Sequence, residues 1–131
     1  GLKEGLIDVI VSDHKPEDEE SKRLTFAQAA TGASGIETLL SLSLELYHNE
    51  SLKLETIIRA LTSNPAKILK INKGNLTIGN DADLCIVDID KPWIVNKDKL
   101  ISKSKNTSIE DKKLQGKVTN TFVKGKELFK L

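Results

Sequence analysis

Leu6-Ile7-Asp8-Val9-Ile10-Val11-Ser12-Asp13-His14-Lys15-Pro16 is the stretch on which the reading of this 131-residue chain turns. Its first six residues are a nearly continuous, largely β-branched apolar run, bounded by Gly5 and by polar residues. Such a run predicts a strand covered on both faces, the kind that sits inside a parallel sheet. It delivers an acid and an imidazole, Asp13 and His14, to the strand's C-terminal end. One strand cannot bury both of its own faces, so the chain is expected to be the C-terminal piece of a larger assembly.

Outward from that stretch the texture changes twice. Glu17-Asp18-Glu19-Glu20-Ser21-Lys22-Arg23 is too charged for a core and predicts a loop with room for a short helix. Thr31-Gly32-Ala33-Ser34-Gly35 is a small-residue turn. Ser34 with Glu37 three positions on has the form of a capping box, opening a helix to His48 whose leucines lie on more than one face. A second helix is predicted from Leu54 to Leu61. Asn64-Pro65 then supplies an N-cap and a first-turn proline for a short helix ending at Leu69. From Lys73 onward short β-type segments follow: Leu76–Ile78, Leu84–Ile89, Trp93–Val95, Val118–Val123 and Glu127–Leu131. Val123-Lys124-Gly125-Lys126 predicts a tight hairpin turn, and the polar residues 96–115 a long surface connection. The expected fold is thus α/β for residues 1–72 and β for residues 73–131.

Composition narrows the function classes. No apolar run approaches the roughly 20 residues needed to cross a bilayer, and the first residues lack the pattern of a secretory signal. The net charge of +1 hides an asymmetry: residues 1–90 sum to −6 and residues 91–131 to +7. The tail's lysines are dispersed among apolar residues and no arginine accompanies them, which predicts a solvated surface rather than a nucleic-acid footprint. Cys85 is the single cysteine and His14 and His48 the only histidines. That count excludes a disulfide framework and fits a reducing, cytoplasmic setting. It also excludes a zinc cage built from Cys or His of this chain alone.

Among polar residues Asp13 stands out, because α/β barrels assemble their active sites at the C-terminal ends of strands. A carboxylate there can bind a metal and relay a proton; equally, a loop Asp can cap the next turn. His14 is read as supporting or structural, and His48 as a solvated residue complementing the helix dipole. Cys85 is read as a small buried apolar residue. Gly32 and its neighbours offer backbone N–H groups to an anionic ligand, a weak signal by itself.

Taken in order, several motifs resemble the dihydroorotase family of amidohydrolases. They are Asp8–Pro16, Gly35–Leu40, Ser63–Leu69, Gly74–Leu84, Ser102–Thr107 and Leu114–Lys126, spanning nearly the whole chain. Single motifs are shared with allantoinases and hydantoinases; the set leans to dihydroorotase. The resemblance implies a metal-dependent (β/α)8 barrel with a small β-sandwich. Residues 1–72 would end the barrel, with Leu6–Val11 as its eighth strand, and residues 73–131 would supply sandwich strands.

It further implies Zn2+ as cofactor, Asp13 as metal ligand and proton shuttle, and Gly32 as a backbone contact to the substrate ring. The implied reaction is the reversible hydrolysis of dihydroorotate to N-carbamoyl-L-aspartate in pyrimidine biosynthesis. The family commonly reads Asp-His-x-Pro-His, its last His contacting the substrate carboxylate; here that position is Glu17, and a carboxylate would repel a carboxylate. Thr31-Gly32 stands where many members have Pro-Gly. The implied partners are a small-molecule substrate, the N-terminal portion that carries the remaining metal ligands, and a second copy or aspartate carbamoyltransferase. Glu17 gives weight to an alternative, a non-catalytic structural partner of aspartate carbamoyltransferase.

Overall fold

The computed structural model describes residues 1–131. Its elements run α1 (Glu19–Lys22), α2 (Leu39–His48), α3 (Leu54–Leu61), α4 (Ser63–Ile68), β1 (Leu84–Ile94), a 3-10 turn (Lys97–Lys99), β2 (Lys113–Val123) and β3 (Lys126–Lys130). The strands form one antiparallel sheet in the order β1-β2-β3. No helix is long and apolar enough to cross a membrane.

The expected strand Leu6–Val11 has no ladder partner and is not a strand here. Leu6 is 77% and Val11 71% exposed. A strand exists only through its neighbours' hydrogen bonds, and no strand of this chain pairs with the run. Two long-range bonds tether it instead: Ile10 N–H donates to Ala60 O at 3.1 Å, and the Asn64 side-chain amide to Asp8 O at 2.8 Å. Asn64 therefore does not cap α4. That helix begins at Ser63, with Thr62 in the cap position. Leu76–Ile78 is likewise no strand, and Ile78 is fully exposed; asparagine-centred turns around Asn75 and Asn80 hold the backbone there.

The predicted hairpin is present. Val123 pairs with Lys126, and Lys124 and Gly125 both have positive φ, 50° and 76°, as a type I′ turn requires. Trp93 and Ile94 join Leu84–Ile89 in one long β1, with a register shift between Asp88 and Pro92. A bulge there accommodates a proline that cannot donate to the ladder. β2 starts at Lys113, five residues before the expected Val118.

The small core joins helices to sheet through Leu44, Ile57, Ala60, Ala66, Val95, Leu100 and Leu114. α2 lies on β2 at Gly116, where φ is 96° and an added Cβ would meet Leu44 Cδ1 at 2.3 Å. The Ser41 hydroxyl donates to Gly116 O at 2.6 Å, and the Trp93 indole N–H donates to the same oxygen at 3.2 Å. His48 is not simply solvated: its Nε2 lies 3.0 Å from Ile89 O, tying the end of α2 to β1. Cys85, expected to be buried, is exposed, because no layer of this chain covers its part of β1.

Only 12 of 131 residues are buried. The accessible surface is 9368 Å², whereas a compact monomer of this mass exposes about 6,800 Å². Much of the excess is apolar: Leu6, Val11, Phe26, Ile36, Leu76 and Ile78 are all exposed.

Candidate active site

Two polar loops and a distant segment meet beside the start of α2. The first loop follows the Leu6–Val11 run. Asp13 there is exposed and adopts φ 44°, a left-handed conformation that Asp and Asn tolerate better than other side chains. His14 turns the other way. Its Nδ1 accepts the Gly35 N–H at 3.1 Å and the Ile36 N–H at 3.3 Å, which satisfies donors ahead of α2.

The second loop is the small-residue turn. Gly32 has φ 121°, and an added Cβ would lie 2.6 Å from Lys15 O. Only glycine permits that backbone to press against the first loop. The Lys15 N–H donates to Ala33 O at 3.2 Å, so the two loops are also paired directly. Asp13 and Gly32, 19 positions apart, line one cavity together with Ser12, Ser34, Thr38 and Leu42.

Glu17 is elsewhere. It lines a separate cleft with His14, Pro16, Ser102 and Lys103, and its carboxylate lies 3.5 Å from Lys15 Nζ.

The helix start differs from the capping box. α2 begins at Leu39, and Thr38 in its cap position makes no side-chain cap bond. Ser34 and Glu37 are instead spent on residues 101–106. The Ser34 hydroxyl donates to Ser104 O at 3.0 Å, and the Glu37 carboxylate accepts the N–H groups of Ile101 and Ser102 at 3.0 and 2.9 Å. The expected surface connection 96–115 is therefore half internal. Leu100 is buried, the Ser104 hydroxyl donates to Glu17 O, and the Asn106 amide donates to Gly32 O at 3.3 Å. Ser104 and Asn106 carry no compositional signal; their only mark in the sequence is that they fall in the Ser102–Thr107 motif.

Zinc does not fit these residues taken alone. No three of the chain's His, Cys, Asp and Glu side chains converge, while a catalytic zinc takes about three protein ligands. Asp13 offers one carboxylate. By itself the chain brings one carboxylate, Asp13, and the Gly32 backbone to the lining of the same cavity.

A family model described as "Amidohydrolase family" matches residues 1–128. The chain is 45% identical over 130 residues to a dihydroorotase of Ehrlichia chaffeensis, covering 99% of this chain and 29% of that protein. A dihydroorotase of Ehrlichia canis is 43% identical over 129 residues, with coverage of 98% and 29%. Among solved structures, L-hydantoinase (dihydropyrimidinase) from Arthrobacter aurescens superposes with a TM-score of 0.90 at 32% identity, over 98% of this chain and 30% of that one. The chain thus spans under a third of the length of these relatives.

Proposed function

The chain belongs to the amidohydrolase family, and on that premise we propose that it is the C-terminal portion of a dihydroorotase. In this reading residues 1–72 end a (β/α)8 barrel, residues 73–131 contribute strands to a small β-sandwich, and Leu6–Val11 becomes a barrel strand once its neighbours are present. The exposed apolar residues along it are what a strand covered on both faces would bury. The whole protein would be a cytoplasmic enzyme of pyrimidine biosynthesis.

The observation that carries the reading is the shared cavity of Asp13 and Gly32. The ring of dihydroorotate would lie between them. Water adds to the ring carbonyl carbon, the carbon–nitrogen bond opens, and that carbon ends as a carboxylate. Asp13 takes the proton released by the attacking water and gives it to the departing ring nitrogen, a relay that suits a carboxylate at a loop end. Gly32 supplies backbone contact to the ring, where a side chain would collide with Lys15. Any zinc would draw its remaining ligands from the rest of the protein, Asp13 being one.

The greater identity to proteins named dihydroorotase than to the hydantoinase, 45% against 32%, favours dihydroorotate over other cyclic amides. The non-catalytic alternative is not favoured. Glu17, its main support, is paired with Lys15 in a different cleft, so the repulsion expected against a substrate carboxylate is blunted.

Assay of the whole protein with dihydroorotate, allantoin and hydantoin tests the reading. Turnover of dihydroorotate that a chelator abolishes and zinc restores is expected. Turnover of hydantoin or allantoin but not dihydroorotate would overturn the substrate assignment.

A further inference from the structure

We propose that Ser102–Asn106 is a brace that positions the Asp13–Gly32 cavity, and that Asn106 is the positioning residue that fixes the Gly32 backbone toward a bound ring. This rests on the reading that the ring lies in that cavity.

The bonds of the segment converge on both loops. Asn106 uses its side-chain amide on Gly32 O at 3.3 Å and its own carbonyl on Ser34 N–H at 2.8 Å. One residue thereby holds the backbone on both sides of Ala33. The Ser104 hydroxyl accepts from Asn106 N–H at 3.3 Å and donates to Glu17 O, linking the same residue to the loop of Asp13. Ser34 is 6% exposed, and its hydroxyl meets both Ser104 O and the Ser102 hydroxyl. Glu37 fixes the start of the segment through two backbone N–H groups. Immediately after Asn106, Thr107, Ser108 and Ile109 form part of the wall of the Asp13–Gly32 cavity.

A surface tie between strands would need none of this. The segment comes from the far end of the sequence, crosses to the site, and spends its small hydroxyl and amide side chains on the backbones of its two loops. Because the contact of Asn106 falls on Gly32 and not on Asp13, its loss should weaken substrate binding more than the chemical step. An interaction used equally in ground and transition states shows in KM with kcat retained, and small misplacements at a site are costly.

The test uses the whole protein with Asn106→Ala, the shape-conserving Asn106→Asp, which lacks the donor, and Ser104→Ala. Exposed Lys126→Ala in β3, outside the segment, is the control. Two readouts are taken: steady-state kinetics with dihydroorotate, and amide hydrogen exchange. Asn106→Ala and Asn106→Asp are expected to raise KM about tenfold with kcat within about threefold. Exchange across residues 32–37 should quicken about tenfold while α3 and the β1–β2 ladder keep wild-type protection. Lys126→Ala should match wild type in both.

Unchanged exchange at 32–37, or loss of protection throughout, would overturn the brace. A fall in kcat at constant KM would overturn the assignment of Asn106 to Gly32. A wild-type protein inactive on dihydroorotate would instead defeat the functional reading, and the exchange data would still decide for or against the brace.

Discussion

Asp13 and Gly32 illustrate how much a single backbone angle can demand of a residue. At φ 44° Asp13 occupies a region that Asn shares readily, so Asp13→Asn removes the carboxylate proposed to relay the proton without disturbing the loop. Gly32 offers no such substitute. Gly32→Ala places a methyl 2.6 Å from Lys15 O at φ 121°, and a strained backbone of this kind costs about 1–3 kcal/mol. Urea denaturation of the whole protein should show that loss; an unshifted midpoint would contradict the close approach.

Lys73 and the pair Asp81 and Asp83 supply a second residue-level expectation. The hydrogen bond from Lys73, then that from the Lys124 N–H, holds the Asp83 carboxyl below its ordinary value of 3.8. Asp83, then Asp81, raises the Lys73 ammonium above 10.5. A lowered carboxyl stabilises the fold above its unfolded value and loses that contribution as pH falls through the folded one. A raised ammonium contributes below 10.5 and fades as pH rises through its folded value. Asp83→Asn should therefore flatten the fall of the urea midpoint below about pH 4 relative to wild type. Parallel acid limbs would show the pair to be without influence.

At the scale of elements, the α2–β2 contact carries the fold. Leu44 is fully buried against Gly116, with Ser41 and Trp93 both bonded to the Gly116 carbonyl. Leu44→Ala should cost about 2–5 kcal/mol by leaving a cavity, read from the urea midpoint; less than about 1 kcal/mol would mean that the contact is loose.

Elements with local causes were legible in the sequence. α3 is amphipathic, and the Lys124-Gly125 turn needs positive φ at two adjacent residues. What was not legible depended on partners far along the chain. Ser34 and Glu37 have the spacing of a capping box, yet residues 101–106 offer their backbone groups to the same side chains, and the tertiary bonds win. Residues 96–115 are polar in composition, which says nothing of whether their hydroxyls face water or another loop. No periodicity connects Asp13 with Gly32, 19 positions apart; only the motif resemblance links them.

The whole molecule is defined by what it leaves uncovered. A surface of 9368 Å² against about 6,800 Å² for a compact chain of this mass, with Phe26 and Ile78 fully exposed, describes a body shaped to be packed against. Residues 1–131 expressed alone should bind an apolar dye strongly and unfold without a sharp transition. The same residues within the whole protein should do neither. A sharp, dye-free transition of the isolated piece would show that its small core suffices.

The most direct measurement compares turnover of dihydroorotate by the whole protein and by its Asp13→Asn variant, with folding checked by circular dichroism. The wild type should hydrolyse dihydroorotate to N-carbamoyl-L-aspartate, and the variant should be slower by about 10²–10⁴-fold with its fold intact. Equal rates in the two proteins, or no hydrolysis by a wild type supplied with zinc, would contradict the assignment of Asp13 to the reaction.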